Sequence, residues 1–229
     1  MKNKVVLITG ANGGLGSSIT EGFLGTGATV VGASNSISAK EFPQPNFFSI
    51  SADLTKANAA NDLVNSVFVR YKRLDILIHV LGGFAGGHTI ADTDDATWDQ
   101  MSDLNLNAAF YVLRAAIPHL RKSDQGRIVA IGSLAALDPH AGIGAYVTFK
   151  SALVALVRTV ALENRDAGLT ANVILPDTMD TPGNRKAMPN ADPSKWVATK
   201  DVAELALWLA DDRASHITGT AVPVAASKA

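Results

Sequence analysis

The 229-residue chain contains no cysteine. A disulfide framework and a thiolate zinc site are therefore both excluded, and the absence fits a reducing compartment. Charge of one sign is not concentrated anywhere. The formal net charge is −1, and Lys and Arg are scattered along the chain. No basic stripe offers itself to nucleic acid. The five histidines show no ligand spacing, so no metal is expected. Long apolar runs are lacking as well. The run behind Lys2 and Lys4 is about four residues, short of the roughly 7–15 of a signal peptide's apolar region. No stretch reads as approaching the length that crosses a bilayer. A soluble, cytoplasmic protein with no membrane or nucleic-acid partner is expected.

What the chain does have is aliphatic. Hydrophobic residues make up 47% of it, enough to bury a core without staples. Apolar runs at 5–9, 28–33, 46–51, 74–80, 126–131, 169–175 and 219–224 read as strands. Helical patterns fall at 15–26, 57–71, 96–120, 143–165 and 201–209. The strands are continuous apolar runs rather than alternating ones, so both faces of their sheet are covered. This predicts one doubly wound, parallel α/β sheet of about seven strands with helices on both faces. No linker splits the chain, and 1–229 reads as a single Rossmann-like domain. Residues 177–198 hold three prolines and little periodicity, and are expected to form a substrate lid.

Between the first strand and first helix stands Thr9-Gly10-Ala11-Asn12-Gly13-Gly14-Leu15-Gly16. Glycines let backbone approach a pyrophosphate, and a helix N-terminus offers N–H groups and partial positive charge. The spacing is Gly-x3-Gly-x-Gly, so the strand–glycine–helix context carries the reading of Gly10, Asn12, Gly13, Gly14, Leu15 and Gly16 as a dinucleotide loop. The end of the second strand, where an acid reads the ribose of NAD, holds Ser34 and Asn35. No carboxylate repels a 2′-phosphate there and no arginine attracts one. The pattern leans to NADP, with NAD open. Ser34 and Asn35 would also serve as ordinary turn residues.

Tyr146 and Lys150 are four apart, which puts them on one helix face a turn apart. Ser133 lies just past the fifth strand, at the sheet edge where ligands bind. Asn105 sits inside the stretch 96–120, where its low helix propensity needs a reason. The set suits carbonyl reduction, which needs hydride at carbon and a proton at oxygen. A phenol of pKa about 10 is a poor acid. A cation within about 4–6 Å lowers it by roughly 1–3 units, which Lys150 and an oxidised nicotinamide can supply. Ser133 can donate to the substrate oxygen, and Asn105 can hold a water that relays protons to Lys150. Singly, each residue has a plain structural alternative: Ser133 a cap, Tyr146 a half-buried core residue, Asn105 a packing polar group.

Together these residues resemble the short-chain dehydrogenase/reductase family over essentially the whole chain. Its TGxxxGxG motif matches Thr9, Gly10, Gly14 and Gly16. Its catalytic Asn, Ser, Tyr and Lys fall on Asn105, Ser133, Tyr146 and Lys150, the last two also facing the cofactor. The resemblance implies adenine binding at Asp53 and Leu54, and cofactor contacts at Leu81 and Gly82. It implies a nicotinamide cradle at Pro176, Thr178, Met179 and Thr181. In that family the two long helices make a dimer interface, so a homodimer or homotetramer is implied. Two departures stand out: the family's Asn-Asn-Ala-Gly is His79-Val80-Leu81-Gly82, and the glycine of its Pro-Gly motif is Asp177.

A narrower similarity links 81–87 (LGGFAGG) and 175–196 to the substrate loops of dihydropteridine reductases. It implies that Phe84 and Trp196 wall a flat heterocycle, although both also suit hydrophobic lid packing. Ser133 and Ser34 depart from that subgroup. The sequence thus leaves three readings: a small carbonyl/alcohol oxidoreductase, a dihydropteridine reductase, and a non-catalytic dinucleotide-binding sensor or scaffold.

Overall fold

The computed structural model describes residues 1–226. Its centre is a seven-stranded, wholly parallel sheet. The strands are β1 (Val5–Thr9), β2 (Thr29–Ser34), β3 (Phe47–Ser51), β4 (Ile76–His79), β5 (Arg127–Ile131), β6 (Thr170–Pro176) and, at the far edge, β9 (Ala221–Val224). Their spatial order is β3-β2-β1-β4-β5-β6-β9. The order reverses direction between β1 and β4, and in such sheets the ligand crevice lies outside the carboxyl ends of those strands.

The apolar runs are explained by cover on both faces. Leu7, Leu77, Ile128 and Val173 pack beneath α2 (Ala57–Tyr71), α4 (Ala108–Leu120) and α5 (Gly144–Glu163). Their neighbours Val6, Ile8, Ile76, Ile78 and Val129 pack beneath α1 (Gly14–Gly25) and α7 (Thr199–Leu209). The expected strands and helices are thus found, with ends shifted by one or two residues, the usual extent of fraying.

Three expectations need correction. The stretch 96–120 is not one regular helix. It consists of α3 (Asp95–Ser102), a π-helical turn Asp103–Asn107, and α4. The lid segment is not structureless. It carries β7 (Met179–Asp180), α6 (Pro182–Ala187) and β8 (Val197–Ala198), with β7 and β8 paired in parallel. Finally, α5 is long and apolar enough by composition to cross a bilayer. Here it lies on the sheet, with Leu153 and Val157 buried and the Lys150 ammonium in its middle.

Candidate active site

The glycine loop is built for backbone alone. Gly10 has φ +66, a conformation costly for side-chain-bearing residues, and its N–H donates to the Ala33 carbonyl at 2.7 Å. A Cβ on Gly16 would overlap the Gly10 carbonyl, and one on Gly14 would meet Thr181 Cβ at 2.8 Å. Helix α1 starts behind Gly13 with no side-chain cap, leaving first-turn N–H groups for an outside acceptor. Leu15 is buried beneath the loop, while Asn12 ties it to the next crossover by donating to the Ser36 carbonyl at 3.3 Å. This cradle fits a pyrophosphate.

Along the crevice, Ser34 is half-buried at the end of β2 and Asn35 is exposed. The Asn35 carbonyl accepts from Ser51 Oγ at 2.6 Å, which fixes this rim against β3. Asp53 is exposed, and its carboxylate accepts from Thr55 Oγ at 2.7 Å and Thr55 N at 3.1 Å. Those bonds hold its pKa below the ordinary value. The Leu54 side chain is buried in the core, so a cofactor contact at this position would fall to its backbone.

At the carboxyl ends of β4 and β5 the proposed reacting groups converge. Lys150 is buried on α5, and its Nζ donates to the Ile131 carbonyl at 3.0 Å. Burial draws its pKa down to about 8. Ser133 follows β5, and its Oγ accepts from Ala135 N at 3.3 Å. Tyr146 is half-buried one turn before Lys150, whose Nζ lies 5.9 Å from the phenol ring centroid. The expected depression of the phenol is not found. Burial raises the Tyr146 pKa, with the neighbouring Ser133 hydroxyl pulling the other way.

Asn105 stands in the π-helical turn, a distortion that frequently marks functional positions. Its side chain is committed to protein partners. Nδ2 donates to Gly83 O at 3.0 Å and Met101 O at 3.1 Å, while Oδ1 accepts from Gly83 N at 3.2 Å. The amide thus clamps the loop that follows β4, where a water-holding role was expected. Between Asn105 and Lys150 sits Gly82. A Cβ there would lie 2.9 Å from Lys150 Nζ and 3.0 Å from Asn105 Oδ1.

The other candidate residues divide. Leu81 is half-buried, and its N–H donates to Thr9 Oγ1 at 3.4 Å. Pro176 ends β6 and Met179 starts β7. The Thr178 carbonyl accepts from Val197 N at 2.8 Å. Thr181 caps α6 through its Oγ1 and presses its side chain against Gly14, so the segment expected to form the lid rests on the glycine loop. Phe84 stands at the site, its ring 5.0 Å from that of Tyr146 and edge-on to it. Trp196 is half-buried ahead of β8 and, among the described residues, makes no aromatic pair with Phe84 or Tyr146.

Two contacts escaped sequence reasoning, the first at a residue already marked as a departure from the family motif. His79 is fully buried, with Nδ1 3.0 Å from Thr9 Oγ1 and Nε2 without a partner. Burial, reinforced by the Lys150 charge, pushes its pKa down to about 3. Its place inside an apolar strand run was the available signal. The contact of Thr181 with Gly14 had no signal in local sequence.

The sequence matches the short chain dehydrogenase family across residues 4–192. The chain belongs to that family. It is accordingly an oxidoreductase dependent on a nicotinamide dinucleotide. Among its relatives is a D-beta-hydroxybutyrate dehydrogenase of Rhizobium meliloti, 32% identical over 96% of this chain and 96% of that protein. Another is a 3beta-hydroxysteroid dehydrogenase of Eggerthella lenta, 30% identical over 96% of this chain and 91% of that one. In structure it is similar to an aldohexose dehydrogenase of Thermoplasma acidophilum. The TM-score is 0.89, with 28% identity over 97% of this chain and 92% of the other.

Proposed function

We propose that this short-chain dehydrogenase interconverts a small carbonyl compound and its alcohol, with Tyr146 as proton donor and acceptor. The observation that carries the reading is the convergence of Ser133, Tyr146 and Lys150 at the sheet edge beside the glycine loop. When bound, the dinucleotide supplies or takes up the hydride. The backbone of Gly10–Gly16 would hold its pyrophosphate, Asp53 its adenine end, and Thr178 and Thr181 its nicotinamide end. Ser133 donates to the substrate oxygen and fixes it beside Tyr146 Oη. In reduction Tyr146 gives that oxygen its proton, and in oxidation it takes the proton back. The Lys150 ammonium stabilises the resulting phenolate. Asn105 acts through Gly83 and Gly82, which it holds against Lys150.

The rim at the half-buried Ser34 and exposed Asn35 carries no carboxylate to repel a 2′-phosphate, which favours NADP. The exposed Phe110 on α4 and Leu162 on α5 favour a homodimer or homotetramer built on those two helices. The test is steady-state oxidation of NADH and of NADPH with a panel of ketones and quinonoid dihydropterin. Turnover with a ketone, and NADPH preferred over NADH, are expected. Ser34→Asp should reverse that preference by about tenfold or more. Cofactor binding without turnover of any carbonyl or pterin would overturn the catalytic reading in favour of a dinucleotide sensor.

A further inference from the structure

Phe84 is a large apolar side chain left 67% exposed, yet it is not loose. One edge meets Tyr146 at 5.0 Å between centroids, with the planes 73° apart. Its tip lies over Gly86, where an added Cβ would come within 2.9 Å of the ring and 3.0 Å of Ile143. The loop carrying it is fastened at both ends. Asn105 clamps Gly83, and Gly87 N donates to Gly142 O at 2.8 Å beside a parallel bridge from His88 to Ile143. A fixed ring with exposed surface, next to the group that moves the proton, is a platform for stacking.

Its own loop offers an anion no lysine or arginine. Ile90, 63% exposed, packs over Gly144. The flanking segments 81–93 and 134–143 contain no lysine or arginine. In the lid, Arg185 is engaged by Asp180 through bonds of 2.6 and 2.8 Å, and the exposed Lys186 and Lys195 stand in 177–198 rather than in the Phe84 loop. Lys150, the cation nearest Tyr146, is buried and held by Ile131. A substrate carboxylate or phosphate entering beside Phe84 would meet no lysine or arginine of these two segments, and would face the carboxylates of Asp92 and Asp138 in them.

We propose that Phe84 is a specificity-determining residue that stacks on an uncharged, flat, cyclic ketone or its alcohol. This rests on the carbonyl/alcohol reading above. Hydride passes from NAD(P)H to the carbonyl carbon and the Tyr146 proton to its oxygen, giving the cyclic alcohol, NAD(P)+ and a Tyr146 phenolate that regains its proton from water.

The experiment compares kcat/KM for a neutral aryl-fused cyclic ketone such as 1-tetralone, a neutral acyclic ketone of equal carbon number, and the acetoacetate anion. The native enzyme should favour the cyclic ketone about tenfold or more over both others. Phe84→Ala and Phe84→Leu should lose that preference mainly through KM, by about three- to tenfold, and Phe84→Trp should keep it. Equal rates for cyclic and acyclic ketones, a preference for the anion, or a cyclic preference that survives Phe84→Ala would overturn the proposal. Turnover of none of these ketones with either cofactor would instead overturn the carbonyl/alcohol reading itself.

Discussion

The buried ammonium of Lys150 donates to the carbonyl of Ile131 at 3.0 Å, one turn beyond the Tyr146 phenol. Burial draws its pKa from 10.5 to about 8. Folded and unfolded chains then differ in protons bound between about pH 8 and 10.5. The unfolded chain binds more there, so stability rises with pH through that window. Below it, keeping the charge buried costs about 3 kcal/mol. Lys150→Met should therefore raise the unfolding free energy at pH 7 by about 2 kcal/mol, after loss of the hydrogen bond. It should also abolish most turnover. Denaturant titration beside an activity assay checks both. In the native enzyme, reduction should decline as pH rises through about 8.

His79 gives a second pH signature, with its own sign. Its folded pKa of about 3 lies below the ordinary 6.5. Its contribution is complete above about pH 6.5 and is lost as pH falls from there towards 3, by about 1.4 kcal/mol per unit. Between pH 7 and pH 5 this group alone should account for about 2 kcal/mol of lost stability. His79→Asn should flatten that slope, as thermal melts at the two pH values will reveal. A variant with the native slope would show that other groups govern acid sensitivity.

Asn105 makes three polar contacts that hold Gly83 and the Met101 carbonyl. Asn105→Ala leaves their partners unpaired beside a buried lysine. A loss of about 2–3 kcal/mol is expected, with faster amide exchange at Gly83 and a lower kcat. Hydrogen exchange read by residue separates this clamp from a role confined to proton relay, which would leave the Gly83 amide protected.

The sheet was legible because its strands are uninterrupted aliphatic runs, a pattern that follows from burial on both faces. The glycine loop was legible because Gly10, Gly14 and Gly16 stand between a strand and a helix. Tyr146, Lys150 and Ser133 were legible as a set through spacing, helix face and strand end. The π-helical turn at Asn105 was not, since side-chain periodicity does not report a changed backbone hydrogen-bond ring. The two-residue strands β7 and β8 escaped for a related reason: they exist through pairing with each other, and no local pattern specifies them. The burial that raises the Tyr146 pKa was not legible, because helix spacing reports a neighbouring charge and not solvent exposure.

The central claim is that the Tyr146 hydroxyl moves the proton. The most direct measurement is the kcat of Tyr146→Phe alongside its dissociation constant for the dinucleotide. Removing one oxygen should lower kcat by about 10²–10⁴-fold and change cofactor affinity by no more than a few fold. A variant that turns over within tenfold of the native rate would contradict the account, because some other group would then be supplying the proton.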